Sequence, residues 1–253
     1  MDNWNKNVSI TAKETIAFFS VIFIILIFPS LYFNFRGLYV TIFNEIVIIL
    51  IAPLIFMKIK GISLKEYITF EKMDKEINLK LFFSWSTTLV FAGILSNIFL
   101  KFFPNSQNIL EALTDFFTSV SFPLQILLFC LIPAICEEIF FRGFIFKSLE
   151  QNIGYKKAII FTGILFGIFH FYPVKILTTA LLGILFSFAY YKTKNFLVPV
   201  SLHFINNFFS LFISKLFIEK GQNMIFLSSV SMLLLLFSIV GIFSIISLIK
   251  SET

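Results

Sequence analysis

The stretch FPLQILLFCLIPAICEEIFFRGFIF, residues 122–146, decides the fold class of this chain. A run of about 20 mostly apolar residues is long enough to cross a bilayer as a helix, and this run exceeds that length. Its interior nevertheless contains Glu137, Glu138 and Arg142. A charge at bilayer depth costs about 2.5–3.5 kcal/mol on insertion scales, so charges found there generally mark function. The stretch therefore predicts a transmembrane helix that carries a functional site.

The composition of the whole chain agrees with a membrane protein. The chain has 253 residues, of which 58% are hydrophobic and only 13% charged, and its mean hydropathy is +0.94. A soluble domain has about 25% charged residues. We expect an all-α membrane protein in which residues 1–253 form one multi-pass domain, a bundle of about eight transmembrane helices. The eight apolar stretches are Ile16–Phe33, Leu38–Met57, Leu81–Phe103, Phe122–Phe146, Ala158–Tyr172, Ile176–Tyr191, Phe196–Phe217 and Met224–Ile249.

The distribution of basic residues predicts the orientation in the cell membrane. Of the 20 Lys and Arg residues, fourteen lie on the side that would hold both termini, beginning with Lys6, and five lie on the other, including Arg36 and Lys220. The twentieth is Arg142 of the opening stretch. Cytoplasmic loops carry the excess of Lys and Arg, so both termini are predicted to be cytoplasmic. The same rule accounts for the net charge of +6. No nucleic-acid partner is therefore expected. The loop Lys58–Lys80, charged with both signs, is predicted to lie at the membrane surface.

The three charges of the opening stretch divide by helical spacing. Glu138 and Arg142 are four residues apart, so they share a helix face and suit an ion pair. Glu137 lies about 100° round the helix and has no partner at that spacing. Glu138 and Arg142 could therefore form a self-neutralising brace that leaves Glu137 free for proton transfer. The alternative is that all three charges pair simply to hold two helices together.

The two histidines of the chain, His170 and His203, both fall inside predicted spans. Phe166 precedes His170 by four residues and Asn207 follows His203 by four, so each pair shares a helix face. At a rise of 1.5 Å per residue, Glu137, His170 and His203 lie about 15, 18 and 12 Å from the cytoplasmic ends of their helices. Three segments thus deliver polar groups to a similar depth. This convergence predicts one site in the core of the bundle.

Four further features of the spans have a structural explanation. Gly163 and Gly167 form a GxxxG pattern, which permits close helix approach beside the face of the fifth span that carries the histidine. Cys130 and Cys136 are six residues apart, on different helix faces, so we expect small buried residues and neither a disulfide nor a metal pair. Glu45 in the second span is assigned an interfacial or packing role. The fifth and sixth spans are predicted to form a tight hairpin broken by proline.

The three motifs together resemble those of the CPBP family, also called Abi or CAAX-protease-like. This family includes Rce-type prenyl-protein endopeptidases and bacterial bacteriocin-processing or immunity proteins. Its pattern of EExxxR, FxxxH and HxxxN on three helices of an eight-helix bundle is matched without departure, within residues 119–210 as the expected catalytic core. The resemblance implies that Glu137 and His170 activate a water and that His203 with Asn207 stabilises the oxyanion. It implies that Glu138 and Arg142 order the site.

The resemblance implies an intramembrane endopeptidase that cleaves a membrane-associated or lipidated peptide or protein. Its partners would be membrane lipid and a substrate that is a prenylated tail, a bacteriocin leader or a signalling-peptide precursor. A divalent metal, zinc, could bind to Glu137, His170 and His203 as in metalloproteases, yet HExxH is absent and glutamate-dependent catalysis needs no metal. The alternative is a non-catalytic membrane immunity or scaffold protein that retains the protease fold. Coupled transport is a third hypothesis, although no inverted repeat supports it.

Overall fold

The computed structural model of the protein describes residues 10–32, 37–103, 120–220 and 224–251. Several residues used in the sequence predictions lie outside these ranges: Lys6, Phe33, Arg36 and Ser119. The helix containing Lys220 is described, but the side chain of that residue is not.

Eight long helices account for most of the described chain. Among the described residues, six helices are long and apolar enough to cross a membrane. Within the described ranges the only β-type pairing is an isolated bridge between Phe70 and Asn195. The all-α membrane fold is therefore confirmed, while eight is an approximate count of the spans. The helices are α1 Ala12–Tyr32, α2 Leu38–Ile59, α3 Lys75–Phe102, α4 Phe122–Ile153, α5 Tyr155–Phe169, α6 Pro173–Thr193, α7 Leu197–Lys220 and α8 Met224–Lys250.

Several helix ends differ from those predicted because polar residues continue the helix beyond its apolar part. Helix α3 begins six residues before Leu81, since Asp74 caps it by accepting hydrogen bonds from the backbone N–H groups of Glu76 and Ile77 at 2.8 and 3.0 Å. Helix α4 continues past Phe146 through the polar turn that ends at Ile153. Hydrophobicity marks the membrane-embedded part of a helix, whereas capping groups mark its actual end.

The loop between α2 and α3 packs partly into the protein, and its position at the membrane surface stays a prediction. Ile62, Tyr67 and Ile68 are buried there. The Tyr190 hydroxyl of α6 donates a 2.6 Å hydrogen bond to the Tyr67 carbonyl and accepts one from the backbone N–H of Thr69 at 3.2 Å. The loop is thus anchored to a transmembrane helix by hydrogen bonds, and a few apolar residues among its charges are buried.

Helices α5 and α6 form the predicted tight hairpin, in which small residues let the two backbones touch. A Cβ added to Gly163 would lie 2.7 Å from the backbone nitrogen of Ile184, and one added to Gly167 would lie 2.7 Å from the Cβ of Ala180. The GxxxG prediction is confirmed. Pro173 differs from its predicted role as a break, because it is the first residue of α6, where proline needs no hydrogen-bond donor.

Two apolar clusters form the interior of the helical bundle. The first is rich in phenylalanine and joins α1, α2, α4 and α5, while the second joins α3, α6, α7 and α8. Many large apolar side chains face outward, among them Leu233, Leu236 and Ile239 of α8. An exposed apolar surface of this kind suits contact with lipid. Cys130 and Cys136 are buried and free, as predicted.

We predict that Gly163→Ala destabilises the protein, whereas Gly93→Ala in α3 does not. The added methyl group at Gly163 meets α6 backbone, and overpacking of this kind costs about 1–3 kcal/mol. A Cβ at Gly93 meets nothing within 4 Å, so the better helix propensity of alanine should add about 0.5–1 kcal/mol of stability. The measurement is the free energy of unfolding in detergent micelles. Equal effects of the two variants would contradict close α5–α6 packing.

Candidate active site

Helix α4 is irregular around the two glutamates. Its α-helical turn Ile132–Glu138 lies between two stretches with π-helical hydrogen bonding, Ile126–Leu131 and Ile139–Phe146. Wide turns of this type are rare and are frequent at functional sites. Glu137 and Glu138 end the α-helical turn, and Arg142 lies in the wide stretch that follows.

A fully buried charge network starts from Glu138. One of its oxygens, Oε1, accepts hydrogen bonds from Arg142 Nη1 at 2.9 Å and from His203 Nδ1 at 2.8 Å. The side chains of Glu138 and Arg142 are both 0% exposed. Arg142 Nη2 also donates to the carbonyl oxygen of Gly183 at 2.7 Å. The predicted ion pair is therefore present, and it links α4 to α6 and α7.

Aromatic rings enclose the guanidinium and both histidines. The guanidinium carbon of Arg142 lies 4.8 Å from the ring centroid of Phe166 and 5.4 Å from that of Phe186. Such a cation over an aromatic face is worth about 0.5–2 kcal/mol. The Phe166 ring also meets His170 and His203 edge-on, with centroid distances of 4.8 and 5.7 Å. The phenylalanine of the FxxxH motif thus contacts three polar members of the site at once.

A cavity of about 960 Å³ lies beside this network. Its wall includes four of the residues selected from the sequence: Glu137, His170, His203 and Asn207. Glu137 is 7% exposed, and its Oε2 has no hydrogen-bond partner. Glu138 and Arg142 lie behind the wall. This arrangement separates one glutamate that faces the cavity from one that is occupied by a buried arginine.

Both histidines are oriented through Nδ1. The carbonyl oxygen of Phe166 lies 2.8 Å from His170 Nδ1. Because a carbonyl can only accept, Nδ1 of His170 carries the proton, and Nε2 of the neutral ring keeps its lone pair. His203 donates from Nδ1 to the carboxylate of Glu138, which also leaves Nε2 as its second ring nitrogen. Both rings line the cavity, so Nε2 is the nitrogen that each can offer there.

A further carboxylate in the wall of the cavity belongs to Glu45 of α2. The sequence favoured a packing or interfacial role for this residue. The structure places it in the same cavity as Glu137, with which it interacts electrostatically, and its Oε2 has no hydrogen-bond partner. The signal that could have identified it is the cost of a carboxylate inside a span, the rule that identified Glu137.

The residues considered for zinc do not form a three-ligand site in this structure. Glu137, His170 and His203 line one cavity, and each histidine holds Nδ1 on a protein acceptor, as metal-bound histidines commonly do. Over the described part of the chain, however, no three His, Cys, Asp or Glu side chains are grouped closely enough to hold a metal ion. Zinc dependence therefore stays a prediction.

Comparisons with known proteins match the part of the chain that carries the three motifs. A family model described as type II CAAX prenyl endopeptidase Rce1-like matches residues 119–209. A protein of Bacillus subtilis (strain 168) named "Putative membrane peptidase YdiL" is 32% identical over 99 residues. That match covers 39% of this chain and 40% of the relative, which is less than half of either protein. No solved structure gives a significant match.

The helices and the cavity between them, with its few polar side chains, define a multi-pass helical membrane protein with a candidate site in its bundle. The family match and the three motifs coincide on the helices that build this site. The segment 119–209 therefore belongs to the CAAX-protease-like (CPBP) family of membrane proteases, as the motifs predicted.

We predict that Glu138→Gln is strongly destabilising, because it leaves the Arg142 guanidinium buried without its counter-charge. Breaking a buried pair on one side costs about 3–5 kcal/mol. Glu76→Gln is the matched control, since Glu76 pairs with Lys80 at the same i,i+4 spacing but is 77% exposed. An exposed helical pair contributes about 0.3–0.5 kcal/mol. Chemical unfolding in detergent measures both variants, and a small effect of Glu138→Gln would contradict a structural role for the pair.

Proposed function

We propose that this protein is an intramembrane endopeptidase that hydrolyses a peptide bond of a membrane-associated or lipidated peptide or protein. One observation carries the proposal. Glu137 is a buried carboxylate with an unpartnered oxygen in the wall of a cavity that it shares with His170, His203 and Asn207. Its neighbour Glu138 is occupied by Arg142 and His203. Of these two adjacent glutamates, Glu137 is the one that lines the cavity and is available for proton transfer.

The attacking group is a water held by Glu137 and by Nε2 of His170. Glu137 removes a proton from this water as the water oxygen bonds to the scissile carbonyl carbon. The tetrahedral intermediate then collapses, the C–N bond breaks, and Glu137 passes the proton to the departing amine nitrogen. A positioned base and acid of this kind contributes about 10²–10⁴ in rate.

The negative charge that develops on the substrate oxygen needs hydrogen-bond donors. Asn207 supplies an amide N–H, and His203 supplies Nε2–H when its ring is protonated. Glu138 accepts from Nδ1 of His203 at 2.8 Å, which leaves Nε2 as the nitrogen that His203 can offer to the substrate oxygen. Removing one donor of this kind costs about 10²–10³ in kcat. Arg142 and Phe166 hold this arrangement in place from behind.

The substrate is proposed as a class. The cavity lies among helices long and apolar enough to span a bilayer, and its wall combines apolar side chains with a few polar groups. This suits a peptide that arrives through the membrane, and the family description and the relative's name agree with such a substrate. A prenylated tail, a bacteriocin leader and a signalling-peptide precursor all fit. We further propose a cell-membrane location with both termini in the cytoplasm.

We predict that Glu137→Gln and His170→Ala lower cleavage by at least about 10², because each removes part of the water-activating pair. The measurement is a comparison of membrane peptidomes from cells that express the wild type, each variant or Glu76→Gln. The last variant changes an exposed carboxylate and controls for expression and insertion.

Unchanged peptide products with inserted Glu137→Gln protein would overturn the proposal. A biological activity of the wild type, such as protection from a bacteriocin, that survives in Glu137→Gln would support the immunity or scaffold alternative. Repeating the wild-type measurement with a chelator tests zinc dependence separately: loss of cleavage, restored by added zinc, would show that a metal takes part.

A further inference from the structure

A chain of hydrogen bonds joins α3 to α4 by way of the amide that the proposed mechanism uses. The indole nitrogen of Trp85 lies 3.3 Å from Asn206 Oδ1. Asn206 Nδ2 lies 3.2 Å from Asn207 Oδ1, and Asn207 Nδ2 lies 3.3 Å from the carbonyl oxygen of Phe129. Neither Trp85 nor Asn206 belongs to the three sequence motifs.

The two ends of this chain determine its direction. An indole N–H can only donate, so Asn206 presents its oxygen to Trp85 and its NH₂ group to Asn207. Asn207 must then present its oxygen to Asn206. Its NH₂ group points the other way, where the carbonyl of Phe129 can only accept. Every link has a donor facing an acceptor, and reversing one amide would place like groups against each other at two links.

The direction matters because the two ends of an asparagine amide have nearly the same shape. Only the NH₂ end of Asn207 can stabilise an oxyanion, whereas its oxygen would repel one. The bond to Phe129 uses one of the two N–H groups, and the second remains for a ligand in the cavity that Asn207 lines. A preorganised donor stabilises developing charge without reorientation during the reaction.

We propose that Trp85 and Asn206 are positioning residues that hold the Asn207 amide with its NH₂ group toward the reacting oxygen. This inference rests on the proposed endopeptidase function and extends it to two residues on α3 and α7. Trp85, the first donor of the hydrogen-bond chain, is held in place by packing. It is 4% exposed, and its ring packs against Phe82 and Phe209 at centroid distances of 5.5 and 5.8 Å.

Two variants test the two aspects of this hydrogen-bond chain, which are its donor at Trp85 and the direction of the amide at Asn206. Trp85→Phe removes the N–H donor but keeps an aromatic ring, so the Asn206 amide loses one of its two hydrogen bonds. The value of kcat should then fall about fivefold, as for one hydrogen bond of about 1 kcal/mol. Asn206→Asp replaces the donor to Asn207 by an acceptor, which turns the NH₂ group of Asn207 toward residue 206. Its kcat should fall about 10²–10³-fold, as after loss of an oxyanion donor.

The measurement is kcat and KM for purified full-length protein in detergent, with an internally quenched peptide based on a sequence cleaved in the peptidome comparison. A positioning role predicts a lower kcat at unchanged KM. Phe82→Leu is the control, because it removes a ring contact of Trp85 without touching the hydrogen bonds. This control should lower stability with little change in kcat.

The outcomes separate the two proposals. An inactive wild type, or a fully active Glu137→Gln, defeats the proposed function itself. If the wild type cleaves and Glu137→Gln does not, then wild-type kcat in both Trp85→Phe and Asn206→Asp overturns the positioning role. A loss of kcat in Phe82→Leu as large as that in Trp85→Phe overturns it as well, because packing alone would then explain the effect.

Discussion

The buried ion pair between Glu138 and Arg142 is the interaction on which the rest of the site depends. A charge removed from water is tolerated only where every neighbour compensates for it. Here the compensation comes from the carbonyl of Gly183, the imidazole of His203 and the ring of Phe166. These partners belong to three helices, α5, α6 and α7, and the pair itself lies on α4, so compensating one pair of charges determines how four helices meet. The charges also lie where the two apolar clusters touch.

The pair also explains why two adjacent glutamates differ. Oε1 of Glu138 accepts hydrogen bonds from Arg142 and His203, whereas Glu137 has no such ion pair within the described residues and lines the cavity. A second set of hydrogen bonds, from Trp85 through Asn206, orients the amide of Asn207 in the wall of the same cavity. Hydrogen bonds shared between buried polar groups restrict the orientations that each group can adopt.

Much of the fold was predictable from the sequence, although the helix ends that polar residues form were not. Long apolar runs identified the spans, and GxxxG identified the close approach of α5 and α6. The start of α3 at Lys75 was missed because Asp74 caps it well outside the apolar stretch. The burial of Tyr67 in the loop between α2 and α3 was not predicted, because charged residues are interspersed with the apolar ones there. Glu45 was set aside because no motif or spacing related it to Glu137.

The sequence by itself determined the membrane fold class, the family of the motif-bearing segment, and the pairing of Glu138 with Arg142. These properties are local, because they depend on run length, on motif spacing or on two residues one helical turn apart. Only the tertiary structure decided that His203 bonds to Glu138, that Glu45 shares the cavity of Glu137, and that Trp85 orients Asn206. Each of these joins residues far apart in the chain, and packing between helices, which no periodicity encodes, brings them together.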